Sequence, residues 1–514
     1  MNDYKFCFII CANREQYLEE CLWYIEKLNI PDGYETEKIV IWDAASMASG
    51  YNKAMAQSDA KYKIYLHEDV MVVNRKLLSE LLEAFQESTV GMVGILGKRE
   101  IDPLGTYTER WDAGGAEVCT VTDTSGFKGS FNYENKWIDV TGADGMLLAT
   151  QYDLLWEECF DGWFFYDLSQ CMNMRQAGYR VVVPRMSEDE KCWVFHDAGQ
   201  CEYTEWEKYR EKFCEKYASF GHTYETRGQE NVREEIENKR ARVEEAFEND
   251  DFEETVQRIS QLGERALNSR VAYIMLFLKV RAEELMAFGE TNYPSAVKIE
   301  DFIREYDEIK FMLRRIYFGY EDESWAYLYK KVCDGQCSMK MIWQAVQICV
   351  VDRNSLWWNI FAKYQREIRT LIRRGDILPA EQILLQLDKK WRGKEGNILA
   401  ILMRSYHRDI EKDSLFTVFD VFREPEELTE YYIRVKYYMR RLEFGLPEKY
   451  WLEVYDYFID TNTSDYLIFD ILIHNIFYRE ACCRNLSRMF AQREGADSVR
   501  AGIYAQLAES NAKG

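Results

Sequence analysis

The sequence predicts an α/β domain on a mainly parallel sheet over residues 1–222, followed by an all-α helical domain over 223–514. Three observations carry this. Apolar runs of strand length alternate with stretches of helical spacing through roughly the first 220 residues. Amphipathic helical patterns then run almost unbroken to the end. A stretch bounded by Gly221 and Gly228 separates the two regimes.

In the first part, "KFCFIICA" reads as an apolar strand and "EQYLEECLWYIEKL" as the helix after it. "KIVIWDA" is a second strand and "SGYNKAMAQS" opens a second helix. "YKIYLHED" is the third strand and "NRKLLSELLEAFQ" the third helix. Strands joined through helices of this length form βαβ units with right-handed crossovers, hence the parallel sheet. "VGMVGIL", a Gly-rich aromatic stretch from Lys98 to Lys136, "WIDVTGADGMLLAT", "FFYDLSQCMNMRQAGYRVVVP" and "CWVFHDAGQ" follow.

The second part holds helices such as "NVREEIENKRARVEEAFE" and "EYYIRVKYYMRRLEFGL". Residues 246–262 and 371–387 each read as a helix end, an Asp-containing turn and an amphipathic helix of the same phase. The pair resembles a tetratricopeptide helix-turn-helix, but no strict 34-residue period follows, so a degenerate solenoid or irregular bundle is expected. Charge runs here read as solvated helix faces. Cys333 and Cys337 in "CDGQC" have metal-like spacing, with no second Cys/His pair nearby to complete a zinc site.

Composition narrows the function classes. Lys and Arg total 65 against 88 Asp and Glu, a net charge of −23, which argues against nucleic acid or an anionic membrane as the main partner. Fourteen scattered cysteines, with no basic leader at the start, suit a reducing cytoplasm. The longest apolar stretch, "VAYIMLFLKV", is about half a membrane span, so no transmembrane segment is expected and any membrane association is peripheral.

The polar residues that matter fall at predicted strand ends. Asp43 ends strand two, and His67, Glu68 and Asp69 end strand three. Asp144 follows the strand near Val140, and Asp167 begins a helix that closes at Gly178. Open α/β sheets bind ligands at these carboxyl edges, so the group reads as a cluster for a hard divalent cation or a phosphate-bearing substrate. Taken singly, each Asp reads equally as a cap or turn former. Trp111 and Tyr107, in the Gly-rich stretch, read either as faces for stacking on a sugar ring or as a self-packed covering loop.

Several stretches occur in a familiar order: "ICANRE", "VIWDAAS", "SGYNKAM", "YLHEDV", "GADGMLLAT", "FYDLSQCMNMRQAGYRV" and "VFHDAG". Through them residues 4–200 resemble a nucleotide-sugar glycosyltransferase of the GT-A fold, in the broad glycosyltransferase family 2 group. The resemblance implies that Ala12, Asn13, Asp43, Asn52 and Glu68 border the nucleotide. It puts Asp69 at the second aspartate of the metal-binding Asp-X-Asp motif, His67 in place of the first, and His196 at a late metal histidine. Asp144 and Gly145 fall on the acceptor-side segment, with Trp111 as a further acceptor contact. Asp167 falls on the catalytic aspartate, and Tyr166 replaces the acid before it.

The implied chemistry suits these residue types. A departing nucleoside diphosphate accumulates charge that Mn²⁺ or Mg²⁺ neutralises, and a carboxylate takes the proton of an acceptor hydroxyl as it attacks the anomeric carbon. One base and one displacement invert the anomeric centre. The expectation is a bacterial, cytoplasmic, metal-dependent inverting transferase using a UDP-sugar. Its acceptor is a glycan, a lipid-linked glycan or a protein, and the helical part engages a partner. The alternative is a catalytically silent GT-A-like domain acting with the helices as a scaffold. A nucleotidyltransferase would need a Gly-rich phosphate loop after strand one, which "ICANREQY" lacks.

Overall fold

The computed structural model describes residues 1–101, 111–129, 135–186, 190–200, 205–217, 229–262, 266–288, 298–334, 337, 339–387, 392–411 and 416–512. The chain forms two compact units. The first takes in Met1–Trp325 with Trp343–Arg353, the second Ala326–Ile342 with Asn354–Gly514.

The first unit opens with β1 (Asn2–Ala12), α1 (Glu15–Glu26), β2 (Glu35–Trp42), α2 (Met47–Met55), β3 (Ala60–His67), β4 (Val70–Val72) and α3 (Leu77–Phe85). There follow β5 (Val90–Gly94), β6 (Leu96–Lys98), β7 (Ala113–Cys119), β8 (Thr124–Gly129), β9 (Trp137–Asp139), β10 (Gly142–Ala143) and β11 (Leu147–Thr150). Then come α4 (Tyr166–Gln176), β12 (Arg180–Pro184), β13 (Val194–Asp197) and α5 (Trp206–Lys216). Helices α6 (Gln229–Glu248), α7 (Phe252–Ser260), α8 (Ser269–Phe288) and α9 (Ile299–Tyr317) complete most of it.

β1 is apolar at every position from Phe6 to Ala12 because both of its faces are covered. Phe6, Phe8, Ile10 and Ala12 point into one cluster with Leu18, Cys21 and Ile25 of α1 and Leu78 and Leu81 of α3. Cys7, Ile9 and Cys11 point into the opposite cluster with Ala48 and Tyr51 of α2 and Leu168 of α4. Period-two alternation feeding two cores is what a central strand covered by helices on both faces requires.

The main sheet runs β2-β1-β3-β11-β5-β12-β9. β1 pairs in parallel with β2 and β3, and β12 with β5, whereas β11 pairs antiparallel with both β3 and β5 and β9 antiparallel with β12. The sheet is therefore mixed rather than mainly parallel. β11 reaches its slot from a tight turn at residues 144–146 rather than through a crossover helix, and this reverses it. A second sheet, β10-β6-β7-β13-β4 with β8 on β7, stands beside it.

The described secondary-structure elements of the second unit are all helices, among them Ile377–Gln386 and Val499–Asn511. The two expected repeat-like segments are both helix-turn-helices, α6–α7 in the first unit and Arg353–Arg374 with Ile377–Gln386 in the second. The solvated reading of the charge runs fails for α9. Asp307, Lys310 and Arg314 lie three and four residues apart on one helix face, and that face is buried.

Gly114 of β7 has φ +78, and a Cβ there would sit 2.1 Å from the Ile95 carbonyl oxygen. Gly114→Ala therefore combines left-handed backbone strain with a backbone clash. It is expected to destabilise the first unit by about 2 kcal/mol or more, read as a lowered urea midpoint.

Candidate metal and active site

β3 delivers His67 to the edge where β1 and β2 also end, with Cys11 opposite His67 and Ala12 opposite Trp42. The chain turns through Glu68 and Asp69 into β4, which pairs antiparallel with β13 so that His196 faces Val70. The Asp197 N–H donates to the Asp69 carbonyl at 2.9 Å. This pairing brings His196 to His67 across 129 residues of sequence.

His196 Nε2 lies 3.1 Å from Asp69 Oδ1, and His67 Nδ1 lies 3.5 Å from His196 Nε2 and 3.9 Å from Asp69 Oδ1. One ligand atom from each of these residues falls within 4.8 Å of the others. Ligand atoms about 2.1 Å from one ion, at angles between octahedral and tetrahedral, sit roughly 3.0–3.5 Å apart. Two of the three separations fall in that range and the third, 3.9 Å, exceeds it, so a small shift of His67 toward Asp69 would let the triad hold a metal. Asp69 Oδ1 is buried and makes no hydrogen bond of acceptable geometry, although His196 Nε2 is close. A buried carboxylate oxygen left over in this way costs free energy unless a cation completes it. Two imidazole nitrogens and one carboxylate suit Mn²⁺ at least as well as Mg²⁺.

Electrostatics prepare the ligands. Burial, and then His196, lower the His67 pKa to about 4, so its imidazole is neutral. Its Nε2 lies 2.5 Å from the Tyr166 hydroxyl. With the proton on Nε2 and directed at Tyr166, Nδ1 presents its lone pair to Asp69 and His196. For Asp69, burial pushes the pKa up, but His196 and Arg14 outweigh it and hold the carboxyl well below its usual range. Burial opposes protonation of His196, and Asp69 overcomes it, raising the imidazole pKa.

Arg14, which sequence reasoning passed over, closes the other side. Its Nη2 donates to Asp69 Oδ2 at 2.6 Å and its Nε to Glu68 Oε1 at 2.8 Å, and it stacks 4.1 Å over the Tyr17 ring. Glu68 Oε2 accepts from the backbone N–H groups of Asn13 and Arg14 at 2.7 and 2.9 Å. Glu68 thereby pins the turn after β1. The only sequence signal for Arg14 was its place in "ANRE", at the carboxyl end of a strand.

The remaining residues expected on the nucleotide side divide. Ala12, Asn13 and Asp43 lie together at the sheet edge, with the Asp43 N–H bonded to the Ala12 carbonyl at 3.0 Å and Asp43 exposed at φ 49. Asn52 instead clamps the segment before α4. Its amide oxygen accepts from Trp156 N at 2.8 Å, and its amide nitrogen donates to Trp156 O and Glu158 at 3.0 Å each.

Across the edge, Asp167 opens α4. Its Oδ2 accepts from Gly145 N at 3.0 Å and its Oδ1 from Leu168 N at 2.8 Å. Asp144 Oδ1 accepts from Met146 N at 2.8 Å, so the two carboxylates hold one turn. A Cβ on Gly145 would meet the Tyr166 hydroxyl at 2.1 Å and Asp167 Cβ at 3.1 Å, so only glycine allows that approach. Burial first, and Asp144 second, raise the Asp167 pKa to about 7 against the lowering effect of those N–H groups. Burial raises Asp144 as well. Phe165, just before α4, is left-handed at φ 63 and is held there by packing on Trp206 and Phe213 of α5. Such strain beside Tyr166 and Asp167 sets their direction.

Trp111 is partly buried against the β1–α1 core cluster, and Tyr107 lies outside the described residues. So does the Cys333 side chain, while Cys337 is buried.

Residues 7–217 match the model of a family described as "Glycosyltransferase like family". No curated protein matches the chain. Among solved structures, the mannosyltransferase PcManGT from Pyrobaculum calidifontis, in complex with GDP-Man and Mn²⁺, is 14% identical with a TM-score of 0.28, over 44% of this chain and 66% of its own. S. aureus TarS is 14% identical with a TM-score of 0.27, over 57% of each chain. TarS 1-349 in complex with UDP is 13% identical with a TM-score of 0.27, over 57% of this chain and 94% of its own. Scores this low carry no argument about residues.

The orphaned oxygen makes Asp69 the test of the triad. Asp69→Ala is expected to weaken Mn²⁺ binding more than tenfold, read from the free-ion signal in electron paramagnetic resonance; unchanged binding contradicts the assignment.

Proposed function

From the match of residues 7–217 to a glycosyltransferase-like family model, we propose that the chain moves a sugar, with inversion, from a UDP-sugar to a hydroxyl acceptor in a metal-dependent reaction. The observation that carries this is a pairing. The two departures from the common pattern, His67 for an aspartate and Tyr166 for an acid, are bonded to each other at 2.5 Å. Two independent losses in a decaying site have no reason to meet; a tyrosine that orients an imidazole ligand does.

On this reading Ala12, Asn13 and Asp43 border the nucleoside, while Glu68 and Asn52 position the segments around it. His67, Asp69 and His196 hold Mn²⁺ or Mg²⁺, which when bound neutralises the diphosphate as a Lewis acid. Asp144, Gly145 and Trp111 lie on the acceptor side. Asp167 accepts the acceptor hydroxyl proton as that oxygen bonds to the anomeric carbon. The bond from that carbon to the diphosphate oxygen breaks, and its electron pair leaves with the nucleotide. Burial that holds Asp167 near neutrality makes it a stronger base than an exposed carboxylate while leaving it ionisable at cellular pH. The division at 222/223, and a partner for the helical part, belong to the same proposal.

Calorimetry with UDP, with and without Mn²⁺, tests the donor side; micromolar binding that needs the metal is expected, and no nucleotide binding by folded protein refutes the reading. Asp167→Asn is expected to lower transfer by about 10²–10⁴-fold with donor affinity within about twofold of wild type. Because Asp167 must be ionised to accept a proton and its pKa is raised to about 7, kcat/KM should fall below neutrality and level off above it. A profile flat from pH 5.5 to 8 would exclude Asp167 as the base (about one decade lost per unit is expected).

A further inference from the structure

His196 has a neighbour that the proposed chemistry does not use. Asp197 follows it on β13 and, by strand alternation, projects to the opposite face. Its carboxylate is 1% exposed and meets two cations of α9, accepting from Arg314 Nη1 at 2.6 Å and Lys310 Nζ at 3.1 Å. Lys310 also pairs with Asp307 Oδ1 at 2.7 Å, and Asp307 accepts from the Tyr273 hydroxyl of α8 at 2.6 Å. Arg314 Nε donates to the Cys349 carbonyl at 3.0 Å and its guanidinium lies 4.3 Å over the Phe195 ring. Two acids and two bases, all at most 2% exposed, balance one another.

The same cluster reaches the other side of the triad. Lys310 Nζ lies 3.4 Å from the Tyr17 hydroxyl of α1, and the Tyr17 ring carries the Arg14 guanidinium that binds Asp69. Contacts from α9 thus reach the residue beside His196 and the ring under the arginine that binds Asp69, although α9 lies beyond the 7–217 stretch that matches the family. A buried ion cluster is seldom a net source of stability, since desolvation offsets the attraction. It does fix geometry, because each charge has one place where it is satisfied.

We propose that Lys310 and Arg314 of α9 are positioning residues for the metal triad, clamping Asp197 so that the end of β13 presents His196 to Asp69 and His67. The inference rests on the metal reading above. It makes α9, which lies beyond residue 217 in the first unit, part of the transferase site rather than an appendage to it.

The test uses full-length protein and Mn²⁺ alone, with binding measured by electron paramagnetic resonance and folding by circular dichroism. Asp197→Asn should weaken Mn²⁺ binding about 10–100-fold, as loss of an outer partner of a metal ligand does. Since it unbalances the buried charge, Asp197→Asn with Lys310→Met, which removes one charge of each sign, is measured beside it and should show the same loss. Arg314→Lys, which keeps the charge but loses the Nε bond to Cys349 and the stacking on Phe195, should weaken binding less than Asp197→Asn does. Folded Asp197 variants that bind Mn²⁺ as wild type does would reduce the cluster to a core ion network and overturn the proposal. Wild-type protein that binds no Mn²⁺ would instead sink the metal reading, and the inference with it.

Discussion

Asp69 sits where three demands meet. Burial disfavours its charge, yet one of its oxygens faces two imidazoles and the other an arginine, and the carboxylate stays ionised because those neighbours outweigh desolvation. Much of the surrounding structure follows from keeping that balance. Glu68 turns away to pin the β1–α1 turn and to hold Arg14 in reach. β13 must run antiparallel to β4 to bring His196 alongside. Tyr166 must lie against His67 to aim it, which requires glycine at 145 and a left-handed residue at 165. The carboxylates of Asp144 and Asp167 are then bound to the same turn that Gly145 occupies.

The first domain was legible where physics is local. The unbroken apolar run of β1 follows from burial on two faces, and the helices that cover it follow from 3.6-residue spacing. The sense of β11 was not legible, because "MLLAT" is equally apolar whichever way it runs. The gathering of Asp43, His67, Asp144 and Asp167 at one edge follows from strand ends alone, whereas the roles expected of them come from resemblance. Nothing local distinguishes Asp197 or Arg14. Their charged partners lie 54 to 117 residues away, and pairing at that range is written in tertiary structure only.

The helical region shows the limit of pattern reading most clearly. In "REYDEIKFMLRRIYF" the charges look like a solvated face, and an amphipathic helix in isolation would use them so. Instead the face that carries Asp307, Lys310 and Arg314 is buried against Asp197, and the apolar positions Phe302, Ile309 and Leu313 are buried as well. A helix buried on so much of its circumference is a core element. In this chain the family-like stretch therefore packs against buried charges that lie outside it.

The most direct test of the account is where a metal binds. Crystals grown with UDP and Mn²⁺, with data collected across the manganese absorption edge, locate the ion independently of any assumed ligand. The account predicts one strong anomalous peak within about 2.3 Å of Asp69 Oδ1 and of a ring nitrogen from each of His67 and His196. Bound UDP with manganese elsewhere, or with none, would contradict it.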